Sequence, residues 1–122
     1  MPPNPAFAVR IRTCGTVSTV ELHGEIDLMA APHINRRLDG LHRRGHGGHL
    51  PDLVIDLGAV TFMDCRGLSA LLHARALTTA HQGRLHLTNI PPQVSKLLRL
   101  TNLTKAFPLQ DARAGGVSGP CR

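Results

Sequence analysis

From Phe7 to Arg12 the chain alternates: Phe7, Val9 and Ile11 fall on one side, Arg10 and Arg12 on the other. A period of two predicts a strand with one buried face. Cys14-Gly15 supplies a turn, and Thr16 to His23 resumes the pattern with Val17, Val20 and Leu22 apolar. The two runs together predict a hairpin. Gly24-Glu25-Ile26-Asp27 ends the second strand, and Pro32 suits the first turn of a helix. Ile34, Leu38 and Leu41 then recur at i, i+4 and i+7, one face of an amphipathic helix that turns Arg36, Arg37 and Arg43 mostly to solvent.

The glycine- and histidine-rich stretch from Gly40 to Pro51 predicts a flexible loop. Asp52 to Leu57 is a short apolar run, as expected of a central strand covered on both faces. A further apolar run, Val60 to Met63, ends at Asp64 and feeds a helix through the short polar turn Asp64-Cys65-Arg66-Gly67. Leu68, Leu71, Leu72 and Ala76 mark the expected buried stripe of that helix, which ends near Gly83. Arg84 to Thr88 alternates through Leu85 and Leu87 and predicts another strand. Pro91-Pro92 opens a third helix buried through Val94, Leu97 and Leu98, and Thr101 to Pro108 has room for a helical turn and an edge strand.

The order β-β-α-β-α-β-α predicts an α/β domain over residues 7–108, a single sheet of four to five strands with helices packed mainly on one face. Residues 1–6 are expected to be a disordered N-terminus and residues 109–122 a flexible tail. Right-handed crossovers bring the turns that follow the strands to a common edge, which makes Asp27 and Asp64 neighbours.

Composition narrows the function. There is no tryptophan or tyrosine and only three phenylalanines, so the core is aliphatic and the stacking rings of a single-strand nucleic-acid binder are missing. The formal net charge of +6 comes with only two lysines; scattered arginine suits an acidic protein partner better than direct nucleic-acid binding. Three cysteines without a CxxC pair argue against a disulfide framework and for a reducing cytoplasm. No apolar run approaches the roughly 20 residues of a membrane span, and the proline-rich start lacks the regions of a signal peptide. His42, His46 and His49 sit in the glycine-rich loop without a carboxylate or thiol to complete a metal set. No paired carboxylates or nucleophile triad can be assembled, so neither an enzyme nor a cofactor is expected.

The chemistry concentrates at Asp64-Cys65-Arg66-Gly67. The first N–H groups of a helix lack internal partners and carry partial positive charge. Such an entrance suits an anion, a phosphorylated side chain or a carboxylate. Cys65 reads as a small hydrophobe, as a redox or modification sensor beside Arg66, or, least well, as a nucleophile. Ser69 is the one hydroxyl left near the turn; it bonds back to a carbonyl, faces solvent, or takes a displaced phosphate. Asp27 and Asp64 read as helix caps and as acidic contacts for a partner, two roles that are compatible. Asp56, inside an apolar strand, reads as a structural hydrogen-bonding group.

These residues resemble the STAS domain, the fold of bacterial anti-sigma factor antagonists. Gly24-Glu25-Ile26-Asp27 is similar to the family's G-E-[IL]-D turn, Leu53 to Leu57 followed by Phe62-Met63-Asp64 to its central strand, and Asp64-Cys65-Arg66-Gly67-Leu68 to its D-S-[ST]-G-[LI] turn. The resemblance implies a single mixed sheet and a partner-switching module with no catalytic residues. The implied partner is an anti-sigma factor of the serine-kinase-like ATPase type, and its capture frees a sigma factor. The implied contact residues are Asp27, Asp64, Cys65, Arg66, Gly67, Leu68 and Ser69. A homodimer is left open. Cys65 stands at the position equivalent to the phosphoacceptor serine, and Arg66 replaces the next hydroxyl residue. A thiol is not the normal substrate of a serine kinase, so the expectation is an antagonist held permanently in its binding-competent state. The competing expectations are a STAS scaffold or transporter-associated subunit, and a thiol-based redox sensor working through Cys65.

Overall fold

The computed structural model describes residues 7–43 and 52–107. The first two strands, β1 (Phe7–Cys14) and β2 (Val17–Ile26), pair antiparallel with Phe7 opposite Gly24 and Cys14 opposite Val17. The two-residue connection places Gly15 at φ +62°, a left-handed conformation that glycine adopts without the clash of a Cβ. β3 (Asp52–Met63) lies parallel to β2, and β4 (Leu85–Thr88) parallel to β3, giving the order β1-β2-β3-β4. The sheet is therefore mixed, with an antiparallel hairpin on one side and parallel pairs on the other. Helices α1 (Ala30–Arg43) and α2 (Cys65–Ala80) make the two crossovers. α3 (Pro92–Leu100) and a 3-10 turn (Thr104–Ala106) follow β4, and no fifth strand forms among the described residues.

One face of the sheet builds the core. Val20, Leu22 and Ile26 of β2, Leu53, Ile55 and Leu57 of β3, and Leu85 and Leu87 of β4 meet Ile34 and Leu38 of α1. They also meet Leu68, Ala70, Leu71 and Ala74 of α2, Val94 and Leu98 of α3, and Phe107. All three helices feed this one cluster, so each covers the same side of the sheet. Each fully buried Leu or Ile contributes about 1.5–3 kcal/mol relative to exposure, and the aliphatic composition suffices for a cooperative core. At the centre of β3 the consecutive residues Leu53, Val54 and Ile55 are all buried, so that strand is shielded on both sides.

Three expectations change. β3 does not stop at Leu57; it runs to Met63, and its pairing with β2 shifts register between Glu21 and His23 and again between Gly24 and Glu25. Each shift adds a residue to β3, so its buried positions there fall three apart, at Leu57, Val60 and Met63, and alternation is lost. In α2, Leu68 and Leu71 are buried as expected, but Leu72 and Ala76 are exposed. The buried face instead uses Gly67, Ala70, Ala74 and Thr78 beside the leucines. Small residues let α1 and α2 approach closely, and His73 Nε2 lies 2.8 Å from Asp39 Oδ1 across that contact. Gly40 to Arg43 are the last turn of α1 rather than loop. The remainder of the predicted loop, both termini, His46, His49 and Arg44 lie outside the described residues.

Candidate functional site

The site is assembled where β2 and β3 end side by side. Ile26 pairs with Met63, so Asp27 and Asp64 leave the sheet as neighbours, as the topology predicted. Each then caps a helix. Asp27 Oδ1 accepts hydrogen bonds from the backbone N–H of Met29 at 3.0 Å and of Ala30 at 3.3 Å. Asp64 Oδ1 accepts from the N–H groups of Arg66 and Gly67, both at 2.9 Å. Asp64 is the N-cap residue of α2, so Cys65, Arg66 and Gly67 form the first helical turn and are not a loop preceding it. A side-chain cap of this kind satisfies donors that the helix cannot and contributes about 1 kcal/mol.

That geometry corrects the expectation of an anion-ready entrance. The N–H groups of Arg66 and Gly67 are already bonded to the chain's own carboxylate, so an incoming anion would have to displace Asp64. The entrance is neutralised from within. Gly67 explains how tightly it is built: a Cβ there would lie 1.9 Å from the Ile26 carbonyl oxygen and 2.7 Å from its carbon. Contacts of that length do not occur, so the first turn of α2 packs directly on the last peptide of β2 only because residue 67 has no side chain.

The expected contact residues therefore divide. Cys65, Arg66 and Ser69 are exposed, and Asp27 and Asp64 are half-buried caps. Gly67 and Leu68 face the core, and they position the surface without forming it. The Ser69 hydroxyl donates to the Arg66 carbonyl. Among the exposed residues of α2, Cys65, Ser69, Leu72 and Ala76 follow one another at spacings of four, three and four, a single outward stripe along the helix. Beside the α1 cap, Leu28 and Met29 are 54% and 76% exposed. Phe62, one residue before the end of β3, is also exposed. Phe62 was named in the sequence only as part of the central-strand motif, and Leu28 and Met29 were not singled out. The signal for Leu28-Met29 was present as two large apolar residues directly after a capping aspartate.

The other candidates resolve simply. Asp56 Oδ1 accepts from Gly58 N–H at 2.9 Å and Asn89 Nδ2 at 3.1 Å, the structural role expected of it. Arg36 is exposed, and Arg37 reaches the Val9 carbonyl at the outer edge of β1. Among the described residues no three His, Cys, Asp or Glu side chains are placed to share a metal ion. No helix among them is long and apolar enough to cross a membrane.

A four-stranded mixed sheet with its helices on one face is the architecture of the STAS domain, and the chain belongs to that family: the family model matches residues 8–115. The chain is 30% identical over 98 residues to the anti-sigma-B factor antagonist of Bacillus subtilis strain 168, across 80% of this chain and 85% of that relative. An anti-sigma factor antagonist from Mycobacterium paratuberculosis superposes with a TM-score of 0.71 at 29% identity, over 84% of each chain. The anti-sigma factor antagonist SpoIIAA in its unphosphorylated form superposes with a TM-score of 0.73 at 23% identity, over 86% of this chain and 88% of its own, and shares the fold.

Proposed function

We propose that this chain is an anti-sigma factor antagonist: a cytoplasmic, non-catalytic module that captures a kinase-like anti-sigma factor and so releases a sigma factor. The observation that carries the reading is the outward stripe of α2, beginning at Cys65 and continuing through Ser69 and Leu72, with Leu28 and Met29 exposed beside the neighbouring cap. Exposed apolar residues gathered at one end of a domain mark a contact for another macromolecule. Arg66 adds a fixed positive charge to the rim, which favours an acidic partner surface.

The surface holds no phosphate switch of the usual kind. Cys65 occupies the place equivalent to the acceptor serine and, like an unmodified serine, presents a small side chain at the helix entrance. A phosphate there would add about −1.5 to −2 charge beside Asp27 and Asp64. Without an acceptor hydroxyl at position 65 that repulsion does not develop at the usual place, and the module stays competent to bind.

Affinity purification of the tagged chain from cells that make it, with mass-spectrometric identification of the bound protein, tests the proposal. A kinase-like ATPase is expected, retained by wild type and lost from a Met29→Asp, Leu72→Asp double variant that still folds. Recovery of a transporter or of a multi-subunit STAS scaffold in its place overturns the proposal, as does retention of the ATPase by the double variant.

A further inference from the structure

β1 is the outermost strand on the hairpin side of the sheet, and among the described residues no strand pairs with its outer edge. The two-residue connection makes Cys14 and Val17 a mutually hydrogen-bonded pair, and such pairs alternate along an antiparallel ladder. Ala8, Arg10 and Arg12 therefore bond to β2 through their backbones, while Phe7, Val9 and Ile11 turn their N–H and C=O groups outward. The Arg37 guanidinium meets the Val9 carbonyl oxygen at 3.4 Å, as this parity requires. The side chains follow the same division: Val9 and Ile11 pack against the core, and Arg10 and Arg12 stand exposed on the sheet face that the three helices leave uncovered.

Charges on an edge strand commonly serve only to prevent aggregation. Arg10 and Arg12 do bar a second copy of this chain, because two β1 strands laid antiparallel about their middles set arginine against arginine. The other devices that blunt an edge are missing from β1. It has eight residues, an unbroken register with β2 and no proline, whereas β4 at the opposite edge has four residues. The local charge is also unbalanced. Glu21 lies directly across from Arg10, places one oxygen 3.2 Å from Arg12 Nη2 and turns the other to His23. One carboxylate thus faces two guanidiniums, and Arg37 adds a third at the edge. This chain offers no acidic strand of its own to balance them: residues 1–6 and 44–51 contain no Asp or Glu, and residues 108–122 hold Asp111 against Arg113 and Arg122.

We propose that the outer edge of β1 receives an extended acidic segment of a partner protein as an added strand. Its backbone pairs with Val9 and Ile11. Its side chains alternate, because successive residues of a strand point to opposite faces: Asp or Glu stands beside Arg10 and Arg12, and an aliphatic residue beside Val9 and Ile11. An open depression of about 360 Å³, lined by Arg10, Ile11, Arg12, Thr19 and Glu21, gives the carboxylates room on the uncovered face. Arg37 yields the Val9 carbonyl to an incoming N–H and pairs with a further carboxylate. Main-chain bonds give such an addition its affinity, and the alternation gives its specificity. The edge lies apart from the stripe of Cys65, Ser69 and Leu72, so its occupancy does not depend on which protein binds there.

Titration of the 15N-labelled full chain with a capped octapeptide of alternating glutamate and valine, followed by amide shifts and hydrogen exchange, tests this. Saturable shifts over residues 7–12 are expected, with exchange slowed more at Val9 and Ile11 than at Arg10 and Arg12, whose amides β2 already engages. An Arg10→Gln, Arg12→Gln double variant should bind about tenfold or more weakly, a loss of at least about 1.4 kcal/mol. Arg99→Gln, on α3, should bind as wild type does. A lysine–valine peptide of the same length should not saturate. Equal binding of the lysine peptide would overturn the proposal, as would shifts that do not saturate, protection without the odd–even alternation, or unchanged affinity in a double variant whose spectrum otherwise overlays that of wild type. Protection of Val9 and Ile11 that grows with protein concentration in the absence of peptide would assign the edge to a second copy and overturn the proposal as well.

Discussion

Gly67 sets the distance between the entrance of α2 and the end of β2. With the Ile26 carbonyl oxygen 1.9 Å from where a Cβ would sit, Gly67→Ala forces the helix off the strand. Overpacking of this kind costs about 1–3 kcal/mol. The value for Gly67→Ala is expected at the upper end because the obstacle is backbone, and a urea unfolding midpoint measures it. Asp64→Ala removes the acceptor of two backbone donors, and the loss expected is about 0.5–2 kcal/mol by the same measurement. Cys65 and Ser69 face outward, so Cys65→Ser should shift stability by no more than about 0.5 kcal/mol. The motif Asp64-Cys65-Arg66-Gly67 thus contains two residues that shape the surface and two that display it. Sequence alone gave their order and not this division, because a glycine's contacts depend on which backbone lies opposite.

At the scale of elements, α2 shows where a linear pattern runs out. Leu68, Leu71, Leu72 and Ala76 read as one stripe, yet the helix is apolar on more than one side, and periodicity cannot say which side meets the sheet. Burial settles it: Leu71 is 1% exposed and Leu72 36%. Leu71→Ala should cost about 2–5 kcal/mol as a cavity-forming change. Leu72→Ala should leave stability within about 0.5 kcal/mol and weaken binding to the partner instead. Thermal or urea unfolding beside an affinity measurement on the same two variants separates the roles. β3 was harder still. Its two register shifts put Leu57, Val60 and Met63 on one face at a spacing of three, which has neither the strand nor the helix period. By contrast β1, with strict alternation, and α1, with Pro32 in its first turn and Ile34 and Leu38 buried, were legible from the residues alone.

For the molecule as a whole, the two crossovers bring the ends of β2 and β3 to one edge, and the caps at Asp27 and Asp64 fix two helix entrances there. That adjacency was legible, because handedness and strand order leave few other arrangements. The exposed apolar residues around it were not, since exposure is a property of the packed whole. With several acids engaged in caps and pairs, arginine dominates what the molecule presents to a partner. Association with an acidic surface should therefore slow by about tenfold or more between low and high salt, with dissociation affected less. Stopped-flow association at two ionic strengths reads this directly.

The decisive measurement for the proposed function is the fate of a complex with the proposed kinase-like anti-sigma factor when ATP and Mg²⁺ are supplied. Intact-mass spectrometry with peptide mapping, read beside analytical size exclusion, should find no phosphate between Val60 and Leu72 and a complex that persists, while Cys65→Ser acquires a phosphate and dissociates. Phosphate on the wild-type turn, accompanied by release of the kinase, would contradict a surface that lacks the switch.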